Sequence, residues 1–365
     1  MQSRSLKTLV VVVIICFFAS NLSSNFLPVY YEGIGLGIVG MSQILLLTFL
    51  VIGLLPVILL NRVRNFERIM SFGIISTMFF FIALVYTKNP IFLGLINGLG
   101  IATFWPSFNL LQFRLSESAA RARTISLLSS IIPYMTSIIG PAVGGFVIQN
   151  FGFTSLFVIS IILYLAAFFC SLRMNFRPEV NRFSIPKNRI FAIFFLTFVI
   201  LGISESYWVA YPLFVQSISG TVLQMGLVLA LSGVVIAAAT FLINWLSDVK
   251  KSRVVFAIVG VTLSALWYFG LIFVSMPIQI VALSLLSGVA GAFSLSWFAH
   301  YGDSFSKEQY GSILVLMEVG LMIGRIINLA PTNLFLPQAD FRSYFMFLGA
   351  ASLCLIPFYL ASKIK

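Results

Sequence analysis

Polar residues fall along this chain in short clusters separated by long apolar runs. Runs of the length a bilayer demands, about 20 residues per helix, lie at 8–31, 38–60, 69–87, 91–113, 124–148 and 153–172. Six more lie at 190–214, 223–246, 254–274, 277–299, 310–335 and 341–361. The polar stretches between them are too short for a soluble domain. The pattern predicts an all-α integral membrane protein with 12 transmembrane helices, numbered here as spans 1 to 12. Its chemistry must then come from residues inside the spans.

The runs also repeat. Sliding the chain on itself by 184 residues lays FASNLSSNFLP (18–28) on GISESYWVAYP (202–212), so that Asn21 meets Glu205 and Pro28 meets Pro212. The same offset pairs Met41 with Met225, Arg123 with Lys307 and Gly140 with Gly324. Two parallel six-helix bundles are expected, at 1–174 and 190–365, joined by a basic cytoplasmic linker at 175–189.

Composition agrees with this picture. Of the 365 residues 60% are hydrophobic and only 9% charged, far below the roughly 25% charged in a soluble domain. A net charge of +12 would suit a nucleic-acid partner, but its placement argues against one. Lys and Arg crowd alternate connections: Arg4 and Lys7, then Arg62 to Arg68, Arg114 to Arg123, Arg173 to Arg189, Lys250 to Arg253, Lys307, and Lys363 with Lys365. The opposite side receives only Lys88 and Arg342, and Arg325 stands in a span. The positive-inside rule puts both termini in the cytoplasm of a cell with this protein in its plasma membrane. The first run is expected to be a retained span, because it is long for a leader, lacks a small-x-small cleavage site and has a counterpart later in the chain. Cys16, Cys170 and Cys354 lie within spans and read as packing residues.

Twelve spans, cytoplasmic termini and a parallel six-plus-six repeat resemble the major facilitator superfamily. IIGPAVGG (138–145) is similar to its fifth-helix motif, with Gly140, Pro141, Gly144 and Gly145 matching, and resembles the version found in drug/proton antiporters. LLNRVRNFER resembles the loop after the second helix, matched at Arg62, with Asn61 where an Asp is usual; NWLSDVKKSR, the second copy, keeps Asp248. GLINGLG fits the fourth-helix pattern at Gly98 and Gly100, with Gly94 in place of its Arg. In physical terms the glycines let span 5 approach a neighbour closely, and Pro141 frees a carbonyl and bends the helix. The basic loops set orientation, or latch the cytoplasmic ends with Asp248 as acceptor.

Charges at membrane depth cost about 2.5 to 3.5 kcal/mol each on insertion scales, and Glu205, Glu318 and Arg325 alone stand well inside spans. Glu205 and Arg325 each lie about 22 Å from the start of their spans. The resemblance implies that spans 1, 4, 7 and 10 line a central cavity and that span 11 sits beside span 7, so a Glu205–Arg325 ion pair is expected, either as a fixed tie or as a switch. Glu318, about 10 Å lower on span 11, is expected to be too far for a direct bond to Arg325 and therefore to be the acid that carries a proton. Cavity-lining candidates are Asn21, Asn25, Trp105, Phe108, Asn109, Gln112, Tyr207, Trp208 and Trp297, a set suited to stacking and a few hydrogen bonds with an organic solute.

The function these features imply is secondary active transport of a small organic solute by a monomer, coupled to protons and directed outward. Uptake of a sugar, nucleoside or similar polar metabolite is the alternative. With ten acidic residues, one His and no paired-carboxylate or metal-ligand spacing, a lipid-modifying enzyme is disfavoured, and no cofactor or metal is expected. A sensor that keeps the fold without moving solute is the remaining reading.

Overall fold

The computed structural model describes residues 2–60, 62, 65–115, 127–174, 183–247 and 253–362. Every regular element among them is helical. Span 1 runs from Gln2–Ser23 through a 3-10 turn, Ser24–Phe26, into Leu27–Gly33; spans 2, 3 and 4 are Gly37–Leu60, Phe66–Tyr86 and Pro90–Leu115. Spans 5 and 6 share the helical stretch Ile132–Ser171, which breaks at Gly152 with φ 80°. That left-handed conformation is one that glycine adopts without steric cost, so a single residue turns the chain where a loop was expected. Span 7 is split into Arg189–Ser204 and Ala210–Ser219. Spans 8 to 11 are Val222–Ser247, Arg253–Leu271, Pro277–Asp303 and Tyr310–Phe335, and span 12 is Phe341–Leu353 continued by Leu355–Ala361.

Spans 1 and 7 both depart from the single helices expected of them, and at equivalent places. The second piece of each starts with a proline in its first turn, Pro28 in Leu27–Gly33 and Pro212 in Ala210–Ser219. Proline has no N–H to donate into the preceding turn and is best tolerated at a helix start. Elsewhere, starts are fixed by ordinary caps: Asn188 accepts from the Phe191 amide before span 7, and Asp340 from the Ser343 amide before span 12. The half-buried Asp340 carboxyl is held below its ordinary range first by hydrogen bonds from the Ser343 side chain and backbone.

The helices form two compact units, one comprising Met1–Phe183 and Thr221–Ala230, the other Ser184–Gly220 and Leu231–Lys365. The boundary falls inside the expected linker, but the first turns of span 8 group with the first unit. The physical cause is close packing: a Cβ on Gly226 would run into the Pro141 carbonyl, and one on Gly145 would lie 2.8 Å from the Val222 carbonyl. In lipid, where water gives helices no reason to associate, such small-residue contacts supply the attraction. The second unit has an aromatic core of Phe194, Phe198, Trp297, Tyr301 and Tyr359.

Candidate functional site

The interruption of span 7 creates the site. Between Ser204 and Ala210 the chain makes only short-range turns, with the Tyr207 amide donating to the Glu205 carbonyl at 2.9 Å. Carbonyls that a continuous helix would satisfy are met by side chains from three other spans. Asn328 Nδ2 of span 11 donates to Ile203 O at 2.8 Å, the Tyr268 hydroxyl of span 9 to Ser204 O at 2.6 Å, and the Tyr344 hydroxyl of span 12 lies 2.7 Å from Ser206 O. Tyr344 lies equally close to Asn328 Oδ1, and its single proton serves one acceptor at a time. An unwound stretch at this depth persists only where such partners exist, since an unmet carbonyl in hydrocarbon costs several kcal/mol.

This clasp presents Glu205 to Arg325. Nη2 and Nε of the guanidinium both reach Glu205 Oε1, at 2.5 and 3.0 Å. The Trp208 ring covers the same guanidinium, 5.1 Å from its carbon to the ring centre, within cation–π range. Spans 7 and 11 approach this closely because Gly202 and Gly324 face one another's backbones: a Cβ on Gly202 would meet Leu321 O, and one on Gly324 would meet Val199 O.

Glu318 corrects the expectation that it stands apart. Its Oε2 lies 3.6 Å from Arg325 Nη1, beyond a good hydrogen bond but within ion-pair reach. The expectation counted only helical rise. Side chains on a helix slant toward its N-terminus, so the long Arg325 side chain leans back toward Glu318 and closes the two-turn gap. One guanidinium thus faces two carboxylates, with side-chain exposures of 10% for Arg325, 14% for Glu318 and 32% for Glu205.

The other candidates are dispersed. Asn21 ties span 1 to span 5, donating to Thr136 Oγ1 at 2.9 Å. Asn25, Asn109 and Tyr207 are half-buried, and Tyr207 packs edge-on against Trp267. Phe108 and Trp297, expected on a cavity wall, are buried in the packed interior, Phe108 edge-on to Phe17 and Trp105 and Trp297 tilted against Phe194 and Tyr359. Span 10 turns the Trp297 ring into the aromatic core, where the rings of Phe194, His300 and Tyr359 cover its apolar surface. Gly140 and Gly144 press on span 1, where a Cβ on Gly144 would collide with Leu22 O. Arg62 lies exposed in a turn. Asn61, Asp248 and the Gln112 side chain lie outside the described residues.

Trp105 lines a cavity of about 150 Å³ in the first unit, together with Phe17, Phe104, Thr77, Asn97 and Tyr164. Spans 3 and 6, which supply Thr77 and Tyr164, were not expected to contribute. Residues of the span 7 clasp were also missed: Asn328 and Tyr344 are neutral, and only the position of Asn328 three residues beyond Arg325, on the same helix face, hinted at its role.

Comparison with known proteins places these features. The family model described as Major Facilitator Superfamily matches residues 9–189 and 193–363. Solved structures of similar fold include a POT family transporter in complex with 5-aminolevulinic acid, at TM-score 0.78 and 13% identity, covering 98% of this chain and 96% of that one. A peptide transporter POT in complex with sulfate is similar at TM-score 0.78 and 14% identity, covering 98% of this chain and 94% of that one. In sequence, the chain is 28% identical over 128 residues to the Uncharacterized protein YqgE of Bacillus subtilis (strain 168), a stretch that spans 33% of this chain and 30% of that protein's length.

Proposed function

The chain belongs to the Major Facilitator Superfamily, and on that premise we propose that it exports a small organic solute across the plasma membrane in exchange for protons, with both termini in the cytoplasm. The membership and the fold are those of a multi-pass membrane transporter rather than of an enzyme. The observation that carries the coupling reading is the charge count at Arg325. With both acids ionised, the group of Glu205, Glu318 and Arg325 holds one negative charge in excess. At membrane depth such an excess costs several kcal/mol, and one proton removes it.

Protonation then acts on the shape of span 7. A neutral acid holds Arg325 less firmly than a carboxylate does, and Glu205 is borne on the stretch where span 7 is already unwound. Proton binding at the pair therefore shifts the balance between inward-open and outward-open forms, and solute binding shifts proton affinity in return by the same factor. Discontinuous helices placed at mid-membrane serve such coupling sites in transporters generally. The outward direction draws on the span 5 motif, whose glycines hold span 1 and the start of span 8. A second reading, proton-coupled uptake of a small polar metabolite, draws on the amide of Asn97 in the first-unit cavity and on the similar structure that holds 5-aminolevulinic acid.

Counterflow in proteoliposomes tests the carrier reading: vesicles preloaded with unlabelled solute transiently concentrate labelled solute if the chain is a carrier, and a sensor shows no overshoot. The sign of an imposed pH gradient then separates the two directions. An exchanger concentrates solute in vesicles with an acidic lumen, and a symporter does so when the exterior is acidic.

A further inference from the structure

The first-unit cavity is bounded by spans 1, 3, 4 and 6 and has no acidic or basic side chain in its lining. Phe17, Phe104 and Trp105 contribute ring surface; Thr77, Asn97 and Tyr164 contribute hydroxyl and amide groups. Its volume of about 150 Å³ matches that of apolar protein cavities that take up benzene, so it has room for one ring. Trp105 keeps 38% of its surface exposed despite edge contacts to Phe17 and Phe104 at 5.6 and 5.7 Å, so indole surface remains for a guest. A guest ammonium or carboxylate would lose its hydration here and find no counter-charge, a cost that an uncharged group escapes.

We propose that this cavity is a recognition subsite for one uncharged aromatic ring bearing a single hydrogen-bonding group, such as an aromatic alcohol or an indole, and that it excludes zwitterionic amino acids and peptides. The proposal rests on the transport reading above and narrows it to uncharged ring-bearing solutes. The ring stacks among Phe17, Phe104 and Trp105, and its O–H or N–H is met by the polar edge formed by Asn97, Thr77 and Tyr164.

The test is equilibrium binding to the full chain in lipid nanodiscs, with empty nanodiscs as the baseline for partitioning. Indole and benzyl alcohol are the probes, toluene lacks the polar group, and phenylalanine and dialanine are the zwitterions. Saturable binding of indole and benzyl alcohol at one site per chain is expected, with no binding of either zwitterion. Ser20→Phe, which places a ring in the cavity, should weaken indole binding at least about tenfold; Asn97→Leu should weaken benzyl alcohol by about tenfold, the scale of one hydrogen bond, and leave toluene unchanged. If Ser20→Phe fails to give a cooperative melt, Ile101→Phe takes its place. Binding no different from empty nanodiscs, equal binding by the filled variants, or competition by dialanine overturns the proposal. Saturable indole binding without counterflow of any solute would instead remove the transport reading and leave the cavity standing, whereas counterflow that indole does not inhibit would remove the cavity's role alone.

Discussion

Span 1 against span 5 and span 7 against span 11 are the same construction made twice with different chemistry. In each pair a glycine at the same repeat position, Gly140 or Gly324, brings two backbones into contact. In each, the residue aligned in the repeat, Asn21 or Glu205, reaches across to the partner helix. Asn21 meets the Thr136 hydroxyl. At the position of Thr136 the second copy has Gly320, so Glu205 finds no hydroxyl and meets Arg325, which stands where the first copy has Pro141. The first tie is a neutral hydrogen bond, insensitive to protons near neutral pH. The second is ionic, and Glu318 makes it a group of odd charge. Duplicated geometry thus carries a neutral amide–hydroxyl tie in one copy and a carboxylate–guanidinium tie in the other, and only the second has a group that a proton can neutralise.

Substitutions break this comparison with graded effects. Arg325→Met has the largest: it leaves two carboxylates without a counter-charge, and thermal unfolding in detergent should show a loss of about 3–5 kcal/mol. The matching change in the first copy, Asn21→Leu, should cost only about 1 kcal/mol; similar losses from both would erase the distinction. Next comes packing. Gly324→Ala forces a methyl against the Val199 carbonyl and Gly140→Ala, its counterpart in the first copy, forces one against the Asn21 backbone, and each should lose about 1–3 kcal/mol, because both positions bring two backbones together. Tyr344→Phe sharpens the comparison further, since it removes the donor beside Ser206 O and should lower stability by about 1–3 kcal/mol. A change that leaves the melting midpoint unmoved would mean that the unwound segment does not depend on that hydroxyl. Smallest is Thr136→Val, about 1 kcal/mol, with counterflow rates unchanged if the first tie only holds helices together.

Hydrophobic runs made the spans legible from residue order and put Glu205 and Arg325 at one depth; that span 11 lies beside span 7, which turned equal depth into an expected tie, was implied by the family resemblance. The break in span 7 was less visible. Its polar residues read as cavity lining, although Pro212, aligned with Pro28, marked a helix start. The reach of Arg325 to Glu318 was missed because residue counting gives Cα separation and not side-chain direction. Asn328, Tyr268 and Tyr344 come from three spans and meet only through tertiary packing, which no local pattern encodes. The interior position of Trp297 was hidden for the same reason: an aromatic residue on a span reads equally as lining or as core until its neighbours are known.

The central claim is that protons act through the ionic tie of the second copy. Its most direct test is solute accumulation in proteoliposomes under an imposed pH gradient, comparing the unaltered chain with Glu205→Gln and Glu318→Gln, and with counterflow measured alongside. The account predicts gradient-driven accumulation by the unaltered chain, its loss in at least one of the two variants, and counterflow retained in that variant. Full gradient-driven accumulation by both variants would contradict it.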